Sequence, residues 1–277
     1  MPVSRNTRGG SRYNWIFPPM VKALPDILAQ IVEQKKLELA ARELGVEERA
    51  ERSIPGRRDF LAALTSRAPA VIAEVKKASP SKGVLADEFD PASIARSYEK
   101  GGAAALSVLT DEKHFLGSLS HLESARATVR LPVLRKDFTI DAYHVHQAAA
   151  HGADAILLIA ALLSERQMSD FRELAERYRM AALVEVHAED ELGQAVASGA
   201  RLIGVNNRNL HTFQVNLGTS LRLADKIPAG VVRVAESGIH SAADVERLRA
   251  AGYQAFLVGE HLMKSGDPAG ALRALLS

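Results

Sequence analysis

Residues 155–186 read AILLIAALLSERQMSDFRELAERYRMAALVEV, and the order of their parts decides the fold. A short continuous apolar run opens the segment at Ala155–Ile159. Ser164 then offers a helix N-cap ahead of a long polar stretch, and a second apolar run follows at Ala182–Val186. Neither run alternates apolar with polar residues, as a strand with one wet face would. Each reads as a strand buried on both faces, in a parallel sheet with helices outside it.

The same unit recurs on either side. Strands are predicted downstream at Leu202–Asn206, Val231–Ala235 and Ala255–Val258, and upstream at Val133–Lys136, Ala104–Leu109 and Val71–Lys76. Helix starts between them are marked by Asp90-Pro91, Ser118, Asp141, a Ser241-x-x-Asp244 capping box and Asp267-Pro268. Eight such units in 277 residues predict an α/β fold, a closed (βα)8 TIM barrel over residues 69–277, in preference to an open doubly wound sheet. On this length no second fused enzyme is expected.

A barrel of this kind needs about 250 residues, so a surplus remains at the N-terminus. Residues 21–68 are expected to be a helical extension packed on the barrel. Leu24, Ile27, Leu28, Ile31, Val32 and Leu37 fall near a 3.6 period between residues 24 and about 45, and a second short helical patch after Ile54-Pro55-Gly56 presents Phe60, Leu61 and Leu64. Residues 1–20 carry Arg5, Arg8 and Arg12 with no acid and lack the apolar core of a signal peptide. They are expected to be a disordered tail ahead of an alternative start at Met20.

Composition narrows the function. The chain is 47% hydrophobic and 25% charged, as soluble globular proteins are. It has no cysteine, which excludes disulfides, thiolate metal sites and a thiol nucleophile. Thirty-five Lys and Arg against thirty-three Asp and Glu give a net charge of +2, too balanced to argue for nucleic acid or a membrane surface. No apolar run reaches the roughly 18 residues of a membrane helix. The nine histidines form no HExxH or comparable ligand set, so no metal is expected. The expected partner is a small anionic molecule bound by a cytoplasmic monomer or weak homo-oligomer, with no nucleic acid and no membrane.

Function in a barrel sits at the carboxyl ends of the strands, and here those ends are polar. They carry Glu74-Val75-Lys76, Arg135-Lys136-Asp137, Glu185, Asn206-Asn207-Arg208, Glu236-Ser237-Gly238 and Gly259-Glu260. Alternation along a strand places Glu74 and Lys76 on one face. Lys76, Lys136 and Arg208 on one rim point to an anionic ligand, and a lysine beside a glutamate stays protonated and can act as a general acid. Ser237-Gly238 and Gly259, after the last two strands, are placed to hold a phosphate on backbone amides. An ordinary ion-pair network would explain any one of these pairs. The polar strand ends together argue for a site, because isolated buried charges are costly to keep. His187 reads as a turn or supporting residue.

Long segments of this chain resemble indole-3-glycerol phosphate synthase. They are Ile72 to Gly83 (IAEVKKASPSKG), Ser107 to Asp111 with Phe115, Leu131 to Phe138 (LPVLRKDF), Leu183 to His187 (LVEVH), Ile203 to Leu210 (IGVNNRNL), Ala235 to Ile239 (AESGI) and Leu257 to Gly259. The likeness runs from about residue 24 to the end. It implies a barrel with an N-terminal helical extension and a cofactor-free lyase of tryptophan biosynthesis. The reaction converts 1-(2-carboxyphenylamino)-1-deoxyribulose 5-phosphate into indole-3-glycerol phosphate, carbon dioxide and water.

Residue by residue, the resemblance implies that Lys136 is the general acid at the substrate ketone. Lys76 contacts substrate anions and serves in the later dehydration, and the division between the two lysines stays open. Glu185 stabilises the cationic intermediate and accepts a proton, Glu74 orients a lysine, and Asn206 positions the substrate. Arg208 meets the anthranilate carboxylate with Ser79 nearby, while Ser237, Gly238 and Gly259 hold phosphate. Phe115, Phe138 and Leu210 cover the aromatic ring. The family often has a small hydroxyl residue where this chain has Glu260, and only the Glu260 backbone amide is expected to face the ligand. Two alternatives remain beside this reading. One is another phosphosugar barrel, such as an isomerase of the same pathway that relies on a cysteine this chain lacks. The other is a silent phosphate-binding scaffold, which would need Ser237, Gly238 and Gly259 but not Lys136 together with Glu185.

Overall fold

The computed structural model describes residues 26–86 and 88–277, so the expected tail at 1–20 and the periodic position Leu24 lie outside the described residues. Eight parallel strands close into a barrel: β1 (Ala70–Val75), β2 (Ala105–Leu109), β3 (Val133–Lys136), β4 (Ala155–Ile159), β5 (Ala181–Val186), β6 (Leu202–Asn206), β7 (Val232–Glu236) and β8 (Ala255–Val258). Each pairs with its neighbours in sequence, and β8 returns to β1 with Ala70 opposite Ala255. The strands fall within one residue of their predicted bounds.

Side-chain alternation sorts the core into two layers. Val71, Ala73 and Val75 face outward into the helix layer, while Ala70 and Ile72 join Leu134, Leu157, Leu183, Val234 and Leu257 inside the barrel. The inward parity that carries these apolar residues continues along each strand to Glu74, Lys136, Glu185, Asn206 and Glu236. One set of positions therefore builds the barrel core below and the polar floor of a cavity above.

Among the described residues, three α-helices precede the barrel: α1 (Asp26–Glu38), α2 (Val46–Ser53) and α3 (Phe60–Thr65). The remaining helices are α4 (Pro91–Gly101), α5 (Glu112–Phe115), α6 (Leu119–Thr128), α7 (Ala142–Ala150), α8 (Glu165–Arg177), α9 (Glu189–Ala197), α10 (Gly218–Leu223), α11 (Ala242–Ala250), α12 (Glu260–Met263) and α13 (Pro268–Leu276). The caps expected at Asp90, Ser118, Asp141, Ser164, Ser241 and Asp267 all accept backbone N–H bonds, with full capping boxes at Ser164 and Ser241. Each such cap stabilises its helix by about 1 kcal/mol.

The extension differs from its sequence reading in two ways. First, α1 is shorter than predicted and α2 was not predicted at all. The α2 sequence VEERAERS buries only Val46 and Ala50, which leaves no apolar period to read. Its surroundings dock by hydrogen bonds instead: Ser53 Oγ donates to the Ala149 carbonyl at 2.8 Å, and the Arg57 side chain donates to the carbonyls of Tyr178 and Ala149 at 3.1 and 3.2 Å. Second, the extension reaches both ends of the barrel. Ile27, Leu28 and Ile31 of α1 roof the cavity at the carboxyl ends of the strands. Phe60 and Leu64 of α3, both fully buried, plug the opposite end among the inward-facing residues, each stabilising the fold by about 1.5–3 kcal/mol. Among the described residues, no helix is long and apolar enough to cross a membrane.

Candidate functional site

Every candidate residue named from the sequence lines one cavity of about 520 Å³ at the carboxyl ends of the strands. Glu74 ends the inner face of β1, and Lys76 follows on the same side. Lys76 Nζ donates to Glu74 Oε1 at 2.5 Å. The buried Glu74 side chain fits because residue 259 is glycine, where a Cβ would fall 2.3 Å from Glu74 Oε1. Gly259 thus makes room for a carboxylate as well as leaving its own backbone bare. Ser79 belongs to a short antiparallel turn in which it pairs with Gly83 at the cavity edge.

Lys136 stands at the centre of the polar floor. Its Nζ donates to Glu185 Oε2 at 2.5 Å and to Glu236 Oε2 at 3.1 Å, with both acids almost fully buried. Glu185 Oε1 accepts from Asn206 Nδ2 at 3.1 Å, and Asn206 Oδ1 in turn accepts the Arg208 backbone N–H at 3.0 Å. His187 lies outside the cavity lining, 3.3 Å behind Glu185 and 3.2 Å from Glu191, in a supporting place.

Charge in this cluster follows from burial and neighbours. Burial disfavours the Lys136 ammonium, but the Glu185, Glu236 and Glu74 carboxylates outweigh it and hold the pKa above its ordinary value. Burial alone would raise Glu185, yet Lys136 and His187 keep it well below the usual carboxylate range. For His187, burial is overcome by Glu185 and Glu191, which push it up to about 9, so the ring is cationic at neutral pH. Glu236 goes the other way: burial, with Glu185 and Glu74 close by, pushes it up to about 7 against the pull of Lys136. One floor therefore holds a protonated lysine, an ionised carboxylate and a carboxyl that exchanges its proton near neutrality.

The walls supply anion and ring contacts. Arg208 and Leu210 come from the loop after β6. Phe115 of α5 and Phe138 after β3 lie with ring centroids 6.0 Å apart and give the cavity an aromatic side. Ser237 and Gly238 both adopt left-handed backbone conformations, with φ of 67° and 79°. A side chain at Gly238 would also meet Val215 at 2.4 Å. The buried Asn207 holds this turn, its Nδ2 donating to the carbonyls of Glu236 and Ser237 at 3.0 and 3.1 Å.

Glu260, whose backbone amide alone was expected to face the ligand, lines the cavity, and its carboxylate pairs with residues of the same lining. Three cations draw it there: its oxygens lie 2.8 Å from Lys264 Nζ, 3.4 Å from Arg208 Nη2 and 3.9 Å from Lys82 Nζ.

Three contributors had no role assigned from sequence. Glu236 and Asn207 stood in quoted motifs, and for Glu236 the inward parity of β7 was the available signal. The third, Lys35 of α1, is buried and lies 2.8 Å from Asp137 Oδ1, 3.1 Å from Asp111 Oδ2 and 3.0 Å from Glu38. Asp137 also pairs with Arg135 at 3.1 Å and accepts from Thr110, so the roof helix is tied to the residue next to Lys136. Among the described residues, no group of three or more His, Cys, Asp and Glu side chains is placed to hold a metal ion.

Comparison with known proteins gives the chain its relatives. The family model for indole-3-glycerol phosphate synthase matches residues 28–275. The indole-3-glycerol phosphate synthase of Koribacter versatilis is 50% identical over 257 residues, covering 90% of this chain and 98% of its own length. That of Leptothrix cholodnii is 50% identical over 268 residues, covering 92% and 100%. Among solved structures, thiamine phosphate pyrophosphorylase from Pyrococcus furiosus is similar with a TM-score of 0.56 at 17% identity, over 75% of this chain and 94% of that one. KGPDC from Streptococcus mutans is similar with a TM-score of 0.57 at 15% identity, over 76% and 96%. At that identity the two structures share the barrel fold and nothing more specific.

Proposed function

This chain belongs to the indole-3-glycerol phosphate synthase family, and from that premise we propose how its residues divide the work. The protein is a lyase of tryptophan biosynthesis acting on a small phosphorylated substrate. It closes 1-(2-carboxyphenylamino)-1-deoxyribulose 5-phosphate to indole-3-glycerol phosphate with loss of carbon dioxide and water.

Lys136 donates its proton to the ketone oxygen as the carboxylate-bearing ring carbon bonds to the ketone carbon. The ammonium is kept charged by its carboxylate neighbours, so the acid form is ready at working pH. The ring closure leaves a cationic nitrogen, and the ionised Glu185 offsets that charge until the carboxylate departs as carbon dioxide and its electrons restore the ring. Glu185 then takes the proton from the carbon next to nitrogen, while Lys76, steadied by Glu74, protonates the leaving hydroxyl as water. Glu236, 3.1 Å from Lys136 Nζ and titrating near neutrality, returns a proton to Lys136 after turnover. Asn206 fixes Glu185 and the start of the Arg208 loop.

Arg208 receives the substrate carboxylate with Ser79 beside it. Ser237, Gly238 and Gly259 hold the phosphate, and Phe115, Phe138 and Leu210 enclose the aromatic ring. The reaction requires no cofactor. Residues 69–277 are the catalytic barrel, preceded by the helical extension, working in the cytoplasm as a monomer or weak homo-oligomer without nucleic acid or membrane.

The observation that carries this reading is Lys136 bonded to both Glu185 and Glu236 on the floor of a cavity shared with Lys76 and Arg208. Incubating the protein with the carboxyphenylamino deoxyribulose phosphate should produce indole fluorescence, and Glu185→Gln should lower its rate by about 100-fold or more. A Glu185→Gln protein that turns over at the parent rate would remove that residue from the chemistry.

A further inference from the structure

We propose that Glu260 is a resident stand-in for the substrate carboxylate. It pairs with Arg208, gives the guanidinium up to the arriving substrate, and takes it back when the substrate carboxylate leaves as carbon dioxide. The inference rests on the reading that Arg208 receives that carboxylate.

Geometry favours an exchange over a fixed bridge. Glu260 Oε2 and Arg208 Nη2 are 3.4 Å apart, a long contact, and both side chains line the cavity with about a fifth to a quarter of their surface exposed, at 24% and 21%. The pair is therefore wet and weak, in the class of ion pairs that a competing carboxylate can displace. Glu260 also has partners on its other oxygen, Oε1: Lys264 at 2.8 Å and Lys82 at 3.9 Å. Losing Arg208 strands no anion, so the exchange carries none of the penalty of an uncompensated charge.

The chemistry of the reaction gives the exchange a direction. The substrate brings a phosphate and a carboxylate, whereas the product keeps only the phosphate. Substrate must displace Glu260 from Arg208; product leaves the Glu260–Arg208 pair intact. A guanidinium that bound the substrate carboxylate without competition would stabilise the ground state most and oppose its departure as neutral carbon dioxide. Glu260 trims that stabilisation and supplies the counter-ion that Arg208 would otherwise lose on decarboxylation.

The test compares the full-length protein with Glu260→Gln, using three ligands: the substrate, its analogue lacking the ring carboxylate (1-phenylamino-1-deoxyribulose 5-phosphate), and the product. The substrate KM should fall about two- to fivefold in Glu260→Gln, with the inhibition constants of analogue and product unchanged. An equal fall for all three would overturn the proposal, because Glu260 would then act on the phosphate they share. No change for any would overturn it as well. Arg208→Gln separates this proposal from the reading beneath it. If Arg208→Gln weakens substrate and analogue alike, the carboxylate assignment of Arg208 fails. If it weakens only the substrate while Glu260→Gln discriminates nothing, the assignment stands and the exchange falls.

Discussion

Gly204 on β6 lies so close to Glu236 on β7 that a Cβ at position 204 would fall 2.1 Å from Glu236 Oε1. The buried carboxyl owes its place to the absence of a side chain on the neighbouring strand, and that same oxygen has no hydrogen-bond partner among the described residues. Gly204→Ala should therefore push Glu236 off Lys136. An overpacked core position of this kind costs about 1–3 kcal/mol, read by urea unfolding, and turnover should drop by more than the loss of folded protein accounts for.

Lys136→Met keeps the apolar stem of the side chain and removes the acid. Turnover measured by indole fluorescence should fall by about 100-fold or more, the scale of lost general-acid catalysis, with the far-UV circular dichroism unchanged. Turnover near the parent rate would take Lys136 out of the mechanism.

Glu236 gives a pH signature with a definite sign. Its pKa is raised in the folded protein to about 7, mainly by burial, above the ordinary carboxylate value of 4.5. A group raised on folding contributes stability that is present below its unfolded pKa and is lost as pH rises through the folded value. The stability of the parent relative to Glu236→Gln should accordingly decline between about pH 4.5 and 7 and level off above. Denaturant unfolding of both proteins across pH 4.5–8.5 measures this, and a difference that grew with pH would contradict the assignment.

Lys35 is buried among three carboxylates, two of which, Asp111 and Asp137, are themselves buried. Lys35→Met takes away the cation those acids share and leaves Asp137 only Arg135, at a cost of about 3–5 kcal/mol. Because α1 carries the cavity roof at Ile27, Leu28 and Ile31, substrate KM should also rise. Thermal unfolding and steady-state kinetics on the same preparation separate the two effects.

Sequence and structure agree most closely where burial is symmetric. The eight strands announce themselves because their residues are apolar on both faces, and the capped helix starts because Asp and Ser must accept the first free N–H groups. The polar strand ends were equally plain, since charges interrupt runs that are otherwise apolar. Other features depend on partners far away in the chain. Lys35 looks like one more solvated charge on an amphipathic helix until Asp111 and Asp137 are brought to it. Glu260 is drawn to the cavity by Lys82 and Arg208, which its own neighbourhood does not reveal. α2 offers charges in place of an apolar stripe, because hydrogen bonds from its neighbourhood to α7 and beyond do the docking.

The plug formed by α3 has a consequence for how the chain is made. Phe60 and Leu64 are synthesised ahead of the whole barrel, and the core cluster they belong to runs from Ala70 and Ala105 to residues as late as Leu202, Val234 and Ala255. Until β8 closes against β1, that cluster is incomplete. The α3 face is thus made early and completed late, a long-range pairing of the sort that slows folding. A chain arrested short of the final strand would carry that plug only partly covered.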